Sequence, residues 1–251
     1  MTTKLLLHGV PETAAIWTDL IGELSVDGDV RTLSLPGFGT ARPDGFDCSM
    51  QAYAAWLTAE VDAAADETGA PVDLVGHDWG GILTARLATT PPAGLRSWAT
   101  DAPGALREGF VWHDLGQLWR TEGAGEDFWA GLLADRRAAA ELLTGFGLTL
   151  DHAALLVNAA DEQMVDSILR LYRSSDGLGT EWLITGPSER PGLVIGVADD
   201  PLGSVHVCEE MATRLGADVA VLDLGGHFWP LEAPAAGAAA LAEFWAGLDA
   251  R

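Results

Sequence analysis

The stretch Val72-Asp73-Leu74-Val75-Gly76-His77-Asp78-Trp79-Gly80-Gly81 decides the fold of this chain. Its apolar, β-branched beginning predicts a buried strand, and the residues that follow it, Ile82 to Ala88, predict a helix. Asp78 lies between Gly76 and Gly80, at the apex of the bend, which is the geometry of a nucleophile elbow. Glycine is favoured beside the apex because the backbone is strained there and the helix packs close to the strand.

The aspartate at the apex determines the chemistry that the elbow can perform. A serine at this point would attack a carbonyl carbon and form an acyl-enzyme, whereas a carboxylate can open an electrophilic sp³ carbon and form an alkyl ester. Water activated by a histidine then hydrolyses that ester. The alternative is that Asp78 only caps the helix that begins after it.

Length and composition restrict the class of protein. The 251 residues suit one α/β domain with a sizeable insertion, or two small domains. The net charge is -23 and Lys4 is the only lysine, which argues against a nucleic-acid partner because phosphates would be repelled.

Several kinds of segment are absent from the sequence. It has no signal-peptide pattern and no apolar run of about 20 residues, so we expect a cytoplasmic protein that does not bind membranes. Cys48 and Cys208 have no metal or redox spacing, and histidines and carboxylates form no cluster of ligands. We therefore predict neither a metal nor a cofactor.

Strands alternate with helices along most of the chain, which predicts an α/β fold with a mostly parallel, doubly wound sheet. Residues 104–187 contain helical patterns and no convincing strand, so we expect a helical cap there. The core domain would then comprise residues 1–103 and 188–251. The predicted elements of the core are strands 4–7, 30–35, 72–75, 95–100, 193–197 and 219–222, and helices 13–24, 49–65, 82–88, 204–215 and 233–248.

Polar residues follow the predicted strands, where ligands of open α/β sheets bind. In chain order they are His8, Asp78, Asp101, Asp199, Asp200 and His227. The order nucleophile, acid, histidine makes His227 the expected general base for the water that attacks the ester of Asp78. Asp200 is the favoured acid because Asp-Pro-Leu-Gly suits the turn after its strand, with Asp199 and Asp101 as alternatives.

An oxyanion hole requires two backbone N–H groups directed at the developing negative charge. Val10 follows His8-Gly9, and Trp79 follows the apex residue, so both stand where such donors are expected. These N–H groups would stabilise the oxyanion that forms when water attacks the ester carbonyl.

The segments His8-Gly9-Val10-Pro11 and Gly76-His77-Asp78-Trp79-Gly80-Gly81 together resemble the α/β-hydrolase branch that contains epoxide hydrolases and haloalkane or haloacetate dehalogenases. The resemblance covers nearly the whole chain, and Leu224 to Pro234 is similar to the histidine loop of that branch. Compared with the branch, the chain begins at the strand before His-Gly. We therefore expect a sheet that lacks the usual first two strands.

The resemblance implies a cap tyrosine that protonates the opened epoxide, and Tyr172 has a suitable context. The branch usually provides two such tyrosines, so His113 or Trp182 could complete the site. Substrate-binding residues are expected to be His8, Trp112, His113 and Trp182.

The resulting expectation is a cofactor-independent epoxide hydrolase that makes a vicinal diol from a small hydrophobic molecule. Dehalogenation is the alternative, since a halide prefers indole N–H donors such as that of Trp79. A non-catalytic ligand-binding protein of the same fold is a third possibility. The exposed edge of the shortened sheet is a candidate surface for a homodimer.

Overall fold

Six parallel strands form one sheet in the computed structural model, which describes residues 2–250. Their order across the sheet is β2-β1-β3-β4-β5-β6. The predicted parallel α/β sheet is therefore confirmed. The strands are β1 (Lys4–Leu7), β2 (Val30–Leu33), β3 (Val72–Gly76), β4 (Leu95–Thr100), β5 (Gly192–Val197) and β6 (Asp218–Leu222).

Helices cover both faces of this sheet. Within residues 2–250, none of them is long and apolar enough to cross a membrane. The α-helices are α1 (Thr18–Glu23), α2 (Met50–Thr68), α3 (Trp79–Ala88), α4 (Asp114–Arg120), α5 (Ala124–Ala134), α6 (Arg136–Leu143), α7 (Leu150–Ala159), α8 (Glu162–Arg173), α9 (Val205–Leu215), α10 (Trp229–Glu232) and α11 (Pro234–Asp249).

The side chains of each buried strand alternate between two apolar cores, as a pleated strand requires. Leu5 and Leu7 point into the core that contains α2, α3 and α9, whereas Leu6 points into the core that contains α1, α10 and α11. Leu74 and Val75 of β3 divide in the same way. β3 is thus buried on both faces, and the apex residue that follows it is held on a rigid support.

Two predicted elements differ from the structure. The strand expected to reach residue 35 ends at Leu33, because the backbone N–H of Leu35 donates to Nε2 of His8 (3.1 Å) and leaves the sheet ladder. The single helix expected over 13–24 is divided into a 3₁₀ turn, Ala14–Trp17, and α1. Thr13 caps the 3₁₀ turn by accepting from the backbone N–H of Ala15.

The segment 104–187 connects β4 to β5 and contains α4 to α8. Polar contacts tie α8 to the loop after β2 and to the start of α2. Asp166 pairs with Arg42, the side chain of Gln163 donates to the carbonyl of Thr40 (3.0 Å), and the hydroxyl of Ser174 accepts from the N–H of Met50 (2.8 Å). α8 therefore has a fixed position on the sheet domain.

The elbow itself is a place of close backbone approach. Asp78 has φ 49° and ψ -118°, a strained conformation for any residue other than glycine. A Cβ atom on Gly76 would lie 2.1 Å from the carbonyl oxygen of Gly80, and one on Gly80 would lie 2.3 Å from that of Leu7. The elbow can form only because β3, α3 and β1 meet without side chains between them.

Gly76→Ala should destabilise the protein by about 3 kcal/mol or more, since its Cβ would collide with backbone that has no room to move. Gly131→Ala is the matched control. Gly131 lies inside α5, where an added Cβ would meet nothing within 4 Å apart from its chain neighbours and the backbone of its own helix, so alanine should add about 1 kcal/mol of stability. Denaturant unfolding measures both, and equal small effects would contradict this account of the elbow.

Candidate active site

Asp78 is almost buried, with 9% of its surface exposed, and its two carboxylate oxygens have different surroundings. Oδ1 accepts a hydrogen bond from the backbone N–H of Val10 (2.8 Å). Oδ2 lies 3.6 Å from Nε2 of His227, which is an ion-pair distance and longer than a hydrogen bond. One oxygen is thus held by the backbone, and the other remains available.

His227 is oriented from its other side by Asp200. Nδ1 of His227 lies 3.2 Å from Oδ2 of Asp200, and the opposite ring nitrogen faces Asp78. A carboxylate in this position fixes the tautomer of the ring and stabilises its protonated form. The structure therefore brings together the predicted nucleophile, acid and histidine.

The other two acids considered from the sequence do not contact His227. Asp101 instead accepts from the backbone N–H of Asp78 (3.0 Å) and from Nε1 of Trp229 (2.7 Å). Asp199 is exposed. Of the three aspartates, Asp200 alone has the position that a triad acid needs.

The charges of this group depend on each other. Burial alone lowers the pKa of His227, but the neighbouring carboxylates of Asp200 and Asp78 outweigh it and raise the pKa to about 10. Burial alone raises the pKa of Asp78, yet the facing ring of His227, the charge of His77 and the Val10 N–H lower it overall. The resting site is consequently an imidazolium beside an ionised carboxylate.

The predicted oxyanion hole has one donor in place and a second in a suitable position. The Val10 N–H already binds Oδ1 of Asp78. Trp79 is the first residue of α3, so its backbone N–H has no acceptor within that helix. A Cβ on Gly9 would lie 2.4 Å from Cβ of Asp78, which shows how closely the Val10 loop approaches the nucleophile.

An apolar cavity, here called the inner chamber, opens at Asp78 beneath α4 to α7. Its polar lining consists of Asp78, His113, Tyr172 and His227. The rest of its wall is apolar and includes Trp119, Phe128, Trp129, Leu132 and Leu156. A second cavity, the outer cleft, also reaches Asp78, His113 and His227, and extends along residues 101–113 and 200–208. Asp78 therefore lies where an apolar space and a more polar one meet.

Tyr172 lies in the inner chamber among tryptophan rings. Its ring centroid is 5.5 Å from that of Trp79 and 4.9 Å from that of Trp119. Burial and the nearby charge of Asp78 raise the pKa of the phenol well above its ordinary value, so the phenol keeps its proton. The nearby Trp79 indole lowers the pKa of Tyr172 in part. Its N–H, however, makes no well-aligned hydrogen bond to any described residue.

His113 lines both cavities and is a neutral donor. Its Nδ1 accepts from the backbone N–H of Gly116 (3.2 Å) at the start of α4, so the ring proton is on Nε2. Burial is the main cause that lowers the pKa of His113 and keeps the ring uncharged. The structure thus places a second N–H donor near Asp78, at one of the two residues expected to complete the site.

Three other residues expected to bind substrate are placed differently. His8 is fully buried, and both ring nitrogens bond to backbone: Nδ1 to the carbonyl of Gly9 (2.8 Å) and Nε2 to the N–H of Leu35. Trp182 packs under Arg86 and lines neither cavity. His8 and Trp182 thus border neither of the two cavities that reach Asp78, and the structure gives no support to their expected substrate contacts. Trp112 borders the outer cleft, but its indole N–H donates to Ser175 (2.9 Å).

Sequence reasoning missed a buried polar group behind the elbow. His77 precedes the apex residue and lies between Asp101 (Nδ1 to Oδ2, 2.5 Å) and Glu12 (Nε2 to Oε1, 3.0 Å). The sequence did contain a signal for this group. Glu12 and His77 are ionisable residues that come shortly after apolar strands, beside the proposed site, where such residues are seldom buried without a partner.

Asp200→Asn should lower the pKa of His227 by about one to two units, because the imidazolium loses its anionic partner. Asp199→Asn provides the matched control one residue away and should leave the His227 pKa unchanged. Titration of the histidine ring resonances by nuclear magnetic resonance needs no substrate. A shift with the Asp199 variant, or none with the Asp200 variant, would remove Asp200 from the site.

Comparison with solved structures shows a shared fold. The chain is similar to a loop variant of the haloalkane dehalogenase DbeA from Bradyrhizobium elkanii, with 24% identity, coverage of 99% of this chain and 90% of that one, and a TM-score of 0.73. A mutant protein from Pseudomonas aeruginosa, provisionally assigned as an epoxide hydrolase, is 21% identical over 98% of this chain and 88% of that one, with a TM-score of 0.76. The enol-lactonase from Burkholderia xenovorans is 19% identical over 98% and 91%, with a TM-score of 0.73.

Comparison with curated proteins finds no match. The family model described as the alpha/beta hydrolase family matches residues 5–241, which include the elbow, the segment between β4 and β5, and the histidine loop. This chain belongs to the alpha/beta hydrolase family.

Proposed function

We propose that this protein is an epoxide hydrolase that uses Asp78 as its nucleophile and converts a small hydrophobic epoxide into a vicinal diol. The observation that carries the proposal is the unequal environment of the Asp78 carboxylate, with Oδ1 on the Val10 N–H and Oδ2 facing His227. An oxygen already bound by the backbone is prepared to become a carbonyl oxygen, and the other is free to attack carbon. Residues 104–187 would act as a cap that encloses the substrate.

In the first step, Oδ2 of Asp78 forms a bond to an epoxide carbon and the C–O bond of the ring breaks. The departing oxygen takes the proton of the Tyr172 phenol, which is favourable because an alkoxide is a stronger base than a phenolate. His113 can support the same oxygen through its Nε2–H. The inner chamber excludes water from this step, which strengthens each of these polar interactions.

Formation of the ester changes the charge of the site and prepares the second step. Asp78 becomes neutral, so the protonated form of His227 loses one of the two carboxylates that favour it, and the pKa of His227 falls. The released proton restores the Tyr172 phenol by way of solvent. His227 is then a neutral base.

In the second step, His227 takes a proton from water while the oxygen of that water attacks Cγ of Asp78. The resulting oxyanion is Oδ1, which the Val10 and Trp79 N–H groups stabilise. When the bond from Cγ to Oδ2 breaks, the alcohol oxygen takes a proton from His227, and the regenerated carboxylic acid returns one to the ring. The sum is one epoxide and one water giving one diol.

Dehalogenation is the second candidate function, and one observation favours it. The indole N–H of Trp79 is buried next to Tyr172, and no described residue accepts a hydrogen bond from it. A departing halide would take this N–H as its hydrogen-bond donor. The same nucleophile and histidine would serve both reactions, so the two candidates differ only in the leaving group.

His227→Gln should trap the alkyl-enzyme, because no base remains to activate water. The intact protein would then increase in mass by the full mass of an epoxide, or by the mass of a haloalkane minus that of its hydrogen halide. Mass spectrometry after incubation with panels of both compound classes distinguishes the two candidates. Asp78→Asn in the same background is the control and should show no adduct. No adduct from either panel would refute the proposed mechanism.

Tyr172→Phe should slow formation of the epoxide-derived adduct by about a hundredfold, because the leaving alkoxide loses its proton donor. The only other tyrosine is the control. The hydroxyl of Tyr53 donates to the carbonyl of Pro36 (2.7 Å) inside the core, so Tyr53→Phe should cost about 1 kcal/mol of stability and leave the adduct rate unchanged. Equal rates for the two variants would show that Tyr172 only packs in the chamber.

A further inference from the structure

Behind the nucleophile, three ionisable side chains form a buried cluster that the two proposed steps do not use. Glu12, His77 and Asp101 come from the loop after β1, the elbow and the end of β4. Glu12 and His77 have no exposed surface, and the Asp101 side chain is 8% exposed. Buried charged groups of this kind are uncommon unless they are paired, so their arrangement needs an explanation.

The contacts of this cluster connect all the segments that build the site. One oxygen of Asp101 accepts from the backbone N–H of Asp78, and the other contacts Nδ1 of His77 (2.5 Å) and accepts from Nε1 of Trp229 (2.7 Å), two residues after His227. Glu12 accepts from the N–H of Gly9 (2.8 Å), beside the Val10 donor. The elbow, the oxyanion loop and the histidine loop thus meet at one set of side chains.

The protonation of His77 follows from its partners. Nδ1 of His77 contacts Oδ2 of Asp101 (2.5 Å), and Nε2 lies 3.0 Å from Oε1 of Glu12, an ion-pair distance without the alignment of a hydrogen bond. Burial alone would lower the pKa of His77, but the charges of Glu12 and Asp101 raise it well above its ordinary value. Carboxylates on both sides of the ring therefore favour the protonated form of His77.

This positive charge lies close to the catalytic groups. The ring centroid of His77 is 5.1 Å from that of His227. A like charge at this distance disfavours the protonated form of His227, and an opposite charge favours ionised Asp78. The other ionisable groups near His227 are Asp200, the partly buried Glu232 of α10 and the neutral His113, and His8 is a further neighbour of His77.

We propose that Glu12, His77 and Asp101 form a positioning network in which a permanent imidazolium at position 77 returns His227 to its neutral form once Asp78 has been esterified. At that stage Asp200 favours the protonated form of His227, and His77 disfavours it. The network also binds the N–H of the strained apex residue through Asp101. This inference deepens the function proposed above and rests on its second step.

The central test needs no substrate. Asp78→Asn imitates the neutral ester, and adding His77→Gln removes the imidazolium while an amide remains beside the carboxylates. In the double variant, the pKa of His227 should be about one unit higher than in Asp78→Asn alone, the scale for like charges about 5 Å apart. Titration of the ring nitrogen resonances of the full chain gives both values. The control is Asp78→Asn with His206→Gln, an exposed position on α9, which should not move them.

The same spectra test the charge of His77 directly. In Asp78→Asn, both ring nitrogens of His77 should remain protonated from pH 5 to about pH 9. Adding Glu12→Gln, which keeps an acceptor for Gly9, should bring the titration of His77 into this range. This variant tests the proposal even if His77→Gln fails to fold. A neutral His77 throughout, or a His227 pKa indifferent to His77, would overturn the network.

A kinetic measurement links the network to turnover. His77→Gln should shift the pH dependence of adduct hydrolysis to higher pH by about one unit, because less of His227 is neutral at a given pH. The adduct should therefore accumulate at pH 7 in this variant but not in the unaltered protein. A uniform loss at all pH values would indicate a structural role only and would contradict the proposal. Absence of any adduct in the His227→Gln protein refutes the proposed function, whereas the titrations above still decide the state of His77.

Discussion

A carboxylate that must stay ionised while it is buried is the constraint on which this structure depends. Removing Asp78 from water favours its protonated form, and under the proposed mechanism a protonated acid could not attack carbon. The structure compensates with a backbone N–H from Val10 on one oxygen and the ring of His227 facing the other. These partners are in place without a substrate, so the proposed reaction would not have to reorganise solvent to stabilise the changing charge.

The close packing below the elbow makes this arrangement possible. Three backbone segments approach within distances that admit no side chain, and the strain at the apex is held by the surrounding strand and helix. The polar groups then lie at the boundary between an apolar chamber and a more polar cleft. The proposed reaction, which would begin in an apolar environment and end with water, therefore has both environments within reach of Asp78.

The sequence predicts the sheet, its helices and the grouping of Asp78, Asp200 and His227, because strand periodicity and the rule for strand ends depend on local patterns. The sequence does not predict in which direction a side chain points. His8 follows a strand as Asp78 does, yet its ring turns inward to bond the Leu35 N–H. Trp182 resembles other tryptophans of the helical segment but packs elsewhere. The Glu12–His77 contact joins residues far apart in the chain, and no local pattern encodes their distance.

The attachment of α8 to the sheet domain has a consequence for how specificity can change. Arg42 and Thr40 contact the helix that carries Tyr172, so α8 is attached directly to the loop after β2. The hydrophobic wall formed by α5 to α7 can accordingly be remodelled, by evolution or by directed libraries, with the reacting groups left intact. Under the proposed mechanism, substrate range and reaction type would be separable traits in this scaffold.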